Sequence, residues 1–299
     1  MSERFHGDFS PSQSKKRESP EKFKKWMGGA IELFCKEFSV EGKAELEAAL
    51  KAEPDGKFVL AASHFSNLDA PAAVEALGDI LDIQITAESV LFEGLAPQRG
   101  LFKAVGKDRF SPLAYEKDKG GKHGVFNPEN FTNLAQKIEE GRTPWIAIHP
   151  FTKKAEMQDA RVGAVYLAHK SGAKIIPAGL EYEGGSVSLE GAGELFKAFK
   201  GRKEGKGTYH VGTPIELLPL DVSIIETVMH KRSNAQPVSS EEKTEFLAVM
   251  KRLREDANTI ASKIGSMLPP ERRGPYQEIP EVELSESDIE FIDENKRYG

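Results

Sequence analysis

His64 and Asp69, in the run Ser63-His64-Phe65-Ser66-Asn67-Leu68-Asp69-Ala70-Pro71, are the residues of this chain best suited by type and spacing to do chemistry. An imidazole that is neutral near pH 7 and held in one tautomer is a general base, and a carboxylate on its far ring nitrogen supplies that hold. Positions i and i+5 do not share a helix face, so the two side chains have to meet across a bend. The flanking residues provide one. Phe58-Val59-Leu60-Ala61-Ala62 reads as a buried strand, and Asp69-Ala70-Pro71 reads as a helix start. The other six of the seven histidines have no Asp or Glu five residues on. A corner in which Asp69 only caps a helix and His64 only faces solvent would have the same local sequence. The surrounding segments therefore decide.

Those segments show an α/β rhythm. Strands are predicted over residues 57–62, 83–87, 143–149, 174–180, 186–189 and 207–211, with helices over 70–77, 130–140 and 160–170 between them. Strands alternating with helices of this length predict an α/β fold, a mostly parallel mixed sheet flanked by helices. Ahead of it a small N-terminal helical region is predicted over residues 21–52, with an amphipathic helix over 23–38 and a shorter one over 41–52. Ser239 and Glu242 fit a capping box that opens a C-terminal helix running to about Ile264, before Pro269-Pro270. The α/β domain with that helix is expected to span residues 53–270. Residues 1–20, rich in Ser and Pro, are expected to be a disordered tail, and 271–299 an acidic, solvated one.

Composition narrows the function classes. A length of 299 residues suffices for a full core, and a net charge of −6 argues against a nucleic-acid partner. The single cysteine, Cys35, excludes an internal disulfide and fits a reducing compartment, with the cytoplasm expected. No apolar run reaches the length that spans a bilayer. Lys15, Lys16, Arg17, Lys22, Lys24 and Lys25 make the front of the chain basic. The helix over 23–38, which includes Trp26, therefore has two roles open to it: packing on the core, or peripheral contact with an anionic membrane.

Three further segments could carry ligand contacts. Lys122-His123 lies in a Gly/Lys loop, Lys153-Lys154 follows the strand over 143–149, and Arg109 follows Asp108. Loops beyond strand ends are where an open α/β sheet holds ligands, and such cations suit a phosphate or another compact anion. His149, at a strand end with no carboxylate spaced to orient it, reads as structural. No His, Cys or acidic residues show metal-ligand spacing, so no metal is expected. The glycine fingerprints of nucleotide binding and the Gly-x-Ser-x-Gly elbow are absent from the sequence.

Taken in order, these segments resemble the glycerolipid acyltransferase superfamily, and within it the soluble, plastid-type glycerol-3-phosphate acyltransferases. Residues 63–71 resemble the family's His-x4-Asp block, and Gly106-Lys107-Asp108-Arg109 its second block. Lys122-His123 resembles a phosphate-holding pair of the soluble branch. Trp145-Ile146-Ala147 followed by Lys153-Lys154 resembles its third block, Ile175-Ile176-Pro177-Ala178 its fourth, and Val211-Gly212-Thr213-Pro214-Ile215 the stretch that follows. The third block departs from membrane-bound members: His149-Pro150-Phe151-Thr152-Lys153 stands where those have Phe-Pro-Glu-Gly-Thr. Lysines also stand where the soluble branch has arginines.

The resemblance implies acyl transfer from an acyl carrier protein or coenzyme A thioester to a hydroxyl of glycerol 3-phosphate, in phospholipid biosynthesis. His64 would be the base and Asp69 its orienter, and Lys122, His123, Lys153, Lys154 and Arg109 would hold the acceptor phosphate. No cofactor beyond the thioester co-substrate is implied. Backbone amides near the helix start at Asp69 are candidates for an oxyanion site. Two other readings are a lysophospholipid or other acceptor, and a non-catalytic relative that binds lipid or acyl carrier protein.

Overall fold

The apolar run before His64 lies inside a seven-stranded sheet and is buried at every position. The structure, a computed structural model, describes residues 20–88, 107–113, 116–117, 124–125, 129–152, 156–183, 205–278 and 280. In chain order its elements are α1 (Pro20–Phe34), β1 (Cys35–Glu41), α2 (Lys43–Ala52), β2 (Phe58–Ala62), α3 (Asp69–Leu77), β3 (Ile83–Glu88), β4 (Phe110–Leu113), β5 (Glu116–Lys117), β6 (Gly124–Val125), α4 (Glu129–Glu139), β7 (Thr143–Ala147), α5 (Gly163–Ser171), β8 (Lys174–Tyr182), β9 (Gly205–Val211), α6 (Ser223–Ser233) and α7 (Ser240–Met267). Short 3₁₀ turns occur at Lys107–Arg109, Pro270–Arg272 and Gly274–Gln277.

The sheet order is β1-β9-β8-β2-β7-β3-β4. Strands β8, β2, β7, β3 and β4 are mutually parallel, β9 runs antiparallel to β8, and β1 runs parallel to β9. The chain is thus an α/β protein with a mostly parallel mixed sheet flanked by helices, seven of them among the described residues. Alternation along the strands divides the core in two, because successive side chains leave a strand on opposite faces. Leu60, Ala62, Trp145 and Ile176 pack with α1, α2 and α3, while Val59, Ala61, Ile146 and Ile175 pack with α4, α5, α6 and α7. The capping box at Ser239 and Glu242 forms as expected from the sequence.

Several expectations are corrected. The helix expected over 23–38 ends at Phe34, and Cys35–Glu41 is instead a strand that lengthens the sheet beside β9. Phe38 and Val40 are half-buried and alternate with exposed Glu37, Ser39 and Glu41, the period-2 pattern of a strand with one solvated face. Of the two roles open to α1, its apolar stripe (Phe23, Met27, Ile31 and Phe34) takes the first and packs on the core, while Trp26 is 46% exposed. Strand β4 and helix α6 were not anticipated. The tail does not begin at Glu271, since Pro270–Arg272 and Gly274–Gln277 fold back with Tyr276 buried. The strand expected over 186–189 and residues 1–19 of the tail expected over 1–20 lie outside the described residues, and Pro20 already belongs to α1. Among the described residues no helix is long and apolar enough to cross a membrane.

Candidate active site

The connections around β2 and β7 make their carboxyl ends a topological switch point. From β2 the chain crosses to β3 through α3, on the α1–α3 face, whereas from β7 it crosses back to β8 through α5 on the other face. Where neighbouring strands send their connections to opposite faces, the space beyond their carboxyl ends is left open, and ligands of open α/β sheets bind there. The residues that leave β2 and β7 at this point are His64 and His149.

Hydrogen bonds from the flanking strand exits hold the β2 exit. The Ile148 amide donates to the Ala62 carbonyl (2.8 Å), Ser63 N–H donates to the Ala178 carbonyl (3.1 Å), and Thr152 N–H donates to the His64 carbonyl (3.3 Å). The His64 amide itself donates to His149 Nε2 at 3.1 Å. A backbone N–H can only donate, so this bond requires Nε2 to be the accepting nitrogen and Nδ1 to carry the proton. Nδ1–H then donates to the Pro150 carbonyl at 2.8 Å. His149 is fully buried, and burial pushes its pKa down to about 4, which keeps it neutral at physiological pH.

His64 meets Asp69 as the spacing required. Nδ1 lies 3.0 Å from Asp69 Oδ2, and the same oxygen accepts the Ser66 amide at 2.8 Å. Asp69 is 1% exposed. Burial holds its carboxyl above the ordinary value, and the hydrogen bonds from His64 and Ser66 offset only part of that rise. Its other oxygen, Oδ1, is buried with no hydrogen-bond partner among the described residues. The His64 ring stands edge-on to Trp145 (5.7 Å between centroids, 83°) and to Phe151 (5.1 Å, 68°), so two aromatic walls fix its plane. The imidazole is 24% exposed, and among the described residues Nε2 has no hydrogen-bond partner. An ionised Asp69 would leave the Nε2 lone pair free to take a proton from a group approaching the exposed side of the ring.

The amides at the start of α3 are already engaged. Ser66 N–H goes to Asp69 Oδ2, Leu68 N–H to Ser66 Oγ at 3.1 Å, and Asp69 N–H to the Ser66 carbonyl at 3.1 Å. These three are therefore not oxyanion donors in this arrangement. Arg109 is not brought to the site either. It precedes β4 at the amino ends of the parallel strands, is 3% exposed, pairs with Asp82, and lies 5.7 Å over the Phe23 ring. The register sets Phe110 beside Ile85 and Ile85 beside Trp145, so Arg109 lies at the end of the sheet opposite His64. Lys122, His123, Lys153 and Lys154 lie outside the described residues. Among the described residues no cluster of three or more His, Cys, Asp or Glu side chains could hold a metal ion.

Reading His149 as structural left out what it supports. Its carboxylate-free surroundings gave no sign of a base, but its place just past an apolar strand that runs parallel to β2 was a usable signal. Trp145 and Phe151, which the sequence presents only as parts of the third block, wall the His64 ring.

No protein-family model matches the chain, and no curated protein matches it. Among solved structures it is similar to the 1-acyl-sn-glycerophosphate (LPA) acyltransferase PlsC from Thermotoga maritima, with 14% identity and a TM-score of 0.46 over 74% of this chain and 81% of that one.

Proposed function

We propose that the chain is an acyltransferase that moves a fatty acyl group from a thioester to the hydroxyl of a phosphate-bearing acceptor, glycerol 3-phosphate in the leading case. The observation that carries this reading is the 3.0 Å contact between His64 Nδ1 and a buried Asp69 oxygen, with the ring partly exposed beyond the carboxyl ends of β2 and β7. The order of sequence blocks around it, which resembles that of glycerolipid acyltransferases, supplies the choice of acyl transfer over other base-catalysed reactions.

In this reading His64 Nε2 takes the proton of the acceptor hydroxyl as its oxygen bonds to the thioester carbonyl carbon. Asp69 keeps Nδ1–H in place and stabilises the imidazolium that results, as the carboxylate of a serine-protease triad does. Collapse of the tetrahedral intermediate breaks the carbon–sulfur bond, and the imidazolium returns the proton to the departing thiolate. No acyl-enzyme is needed, because among the described residues no Ser or Cys is hydrogen-bonded to His64 and Cys35 is buried. Lys122, His123, Lys153 and Lys154 are the proposed phosphate contacts; Arg109 is not among them. The donor is an acyl carrier protein or coenzyme A thioester.

Thiol release from palmitoyl-coenzyme A and palmitoyl-acyl carrier protein, with and without glycerol 3-phosphate, tests the proposal. Wild type is expected to release thiol only with the acceptor present, and His64→Ala to lose turnover while keeping its melting temperature. Near-normal activity in His64→Ala would remove His64 as the base. Release with lysophosphatidate in place of glycerol 3-phosphate would keep the chemistry and change the acceptor.

A further inference from the structure

Directly after α7 the chain, as far as Gln277, stays on the molecule. The 3₁₀ turns at Pro270–Arg272 and Gly274–Gln277 seat themselves on residues 156–161, the segment that follows the His149 exit. Met157 N–H donates to the Arg272 carbonyl at 2.8 Å, and Ala160 N–H donates to Tyr276 Oη at 2.6 Å. Gly274 has φ +54, and a Cβ there would stand 2.1 Å from the Met157 carbonyl oxygen, so the two backbones are in direct contact. The seated segment is tied back to the sheet, since Arg161 N–H donates to the Ile148 carbonyl at 2.6 Å.

This docking places one side chain against the His64 loop. The Arg272 guanidinium lies 5.8 Å over the ring of Phe65, the residue after His64, and its Nη2 donates to the Tyr182 carbonyl at the end of β8 (3.0 Å). Phe65 in turn packs on the His149 ring, with centroids 5.2 Å apart. His149 Nε2 accepts the His64 amide. A continuous line of contacts therefore runs from β8 through Arg272, Phe65 and His149 to the backbone of the candidate base.

We propose that Arg272 is a positioning residue: it clamps Phe65 and so holds the His64 backbone on His149. The proposal rests on the reading of His64 as the base. A cation over an aromatic face and a hydrogen bond to a strand-end carbonyl each restrain the loop without touching substrate. Small displacements of a catalytic group cost rate steeply, so loss of the clamp is expected to appear in kcat rather than KM.

The test uses the full chain and three variants: Arg272→Ala, Arg272→Lys and, as a control, Arg273→Ala, whose arginine donates to the Leu268 carbonyl. Hydrogen exchange at the His64 amide is read against Ile260, which is fully buried in α7. Arg272→Ala is expected to speed exchange at His64 about tenfold with Ile260 unchanged, Arg272→Lys to fall between, and Arg273→Ala to match wild type. The kcat of Arg272→Ala is expected to drop by about tenfold with KM within about twofold of wild type. Wild-type exchange at His64 in a folded Arg272→Ala protein would overturn the proposal. Should Arg272→Ala fail to fold, Phe65→Leu removes the same contact from the other side, and unchanged exchange there would overturn it equally. A wild type inactive with every thioester would sink the acyl-transfer reading, while the exchange data would still decide the role of Arg272.

Discussion

Two histidines at neighbouring strand exits have opposite duties, and their surroundings decide which. His64 is partly exposed with one nitrogen on a carboxylate, whereas His149 is fully buried with a carbonyl on one side and an amide on the other. A base needs an accessible lone pair, and a scaffold imidazole needs to stay neutral. The depressed pKa of His149 has a consequence for stability. Its folded value is about 4 against an ordinary 6.5, so between those values the unfolded chain binds more protons than the folded one. Its contribution is fully present above pH 6.5 and is lost as pH falls towards about 4, on the order of 3 kcal/mol in all. In urea melts at a series of pH values, wild type is expected to lose stability over that window more steeply than His149→Gln. Parallel pH slopes for the two proteins would contradict the assignment.

At the scale of elements, tight corners set how strands and helices approach. Gly42 joins β1 to α2 with φ +82, and a Cβ added there would fall 1.9 Å from the Val211 carbonyl oxygen of β9. Gly141, between α4 and β7, has the same φ, but a Cβ added there would meet nothing within 4 Å. Alanine at Gly141 therefore meets only the left-handed backbone penalty of about 1–2 kcal/mol, while alanine at Gly42 must also push a strand aside. Gly42→Ala is expected to destabilise more than Gly141→Ala, by at least about 1 kcal/mol, in chemical denaturation. Equal losses would show that the β1–β9 edge yields freely.

At the scale of the molecule, the N-terminal region is part of the sheet and core, not an appendage. Phe23, Met27, Ile31 and Phe34 cover α3, and Cys35–Glu41 pairs with β9. Burial of each such large apolar side chain is worth about 1.5–3 kcal/mol relative to exposure. His210 adds a polar tie, standing 3.1 Å from Glu41 of β1 and 3.3 Å from Glu181 of β8. A chain lacking residues 1–41 would expose the α3 face and leave β9 as an unpaired edge, an invitation to association. It is expected to elute as aggregate in size-exclusion chromatography and to lose its cooperative melt. A monomeric, cooperatively melting truncation would show the region to be dispensable.

The strand before His64, the helix after it and the five-residue spacing to Asp69 were legible in the chain, because hydrophobic runs and helix starts are local signals. The same is true of the α/β class and of the capping box at Ser239. Strand β1 was lost under the apolar content of the helix before it, since a short alternating run beside an amphipathic helix is ambiguous by period alone. Arg109 shows the opposite failure: its sequence order suggested the site, but a parallel register puts residues before a strand and residues after one at opposite ends of the sheet. The support of His64 by His149, Phe65 and Arg272 joins residues far apart in the chain, and no sequence period encodes such a meeting. Sequence alone determined which side chains could form a base and its orienter. Tertiary structure decided which end of the sheet they occupy and what holds them there, because strand register and the docking of the chain after α7 are products of packing.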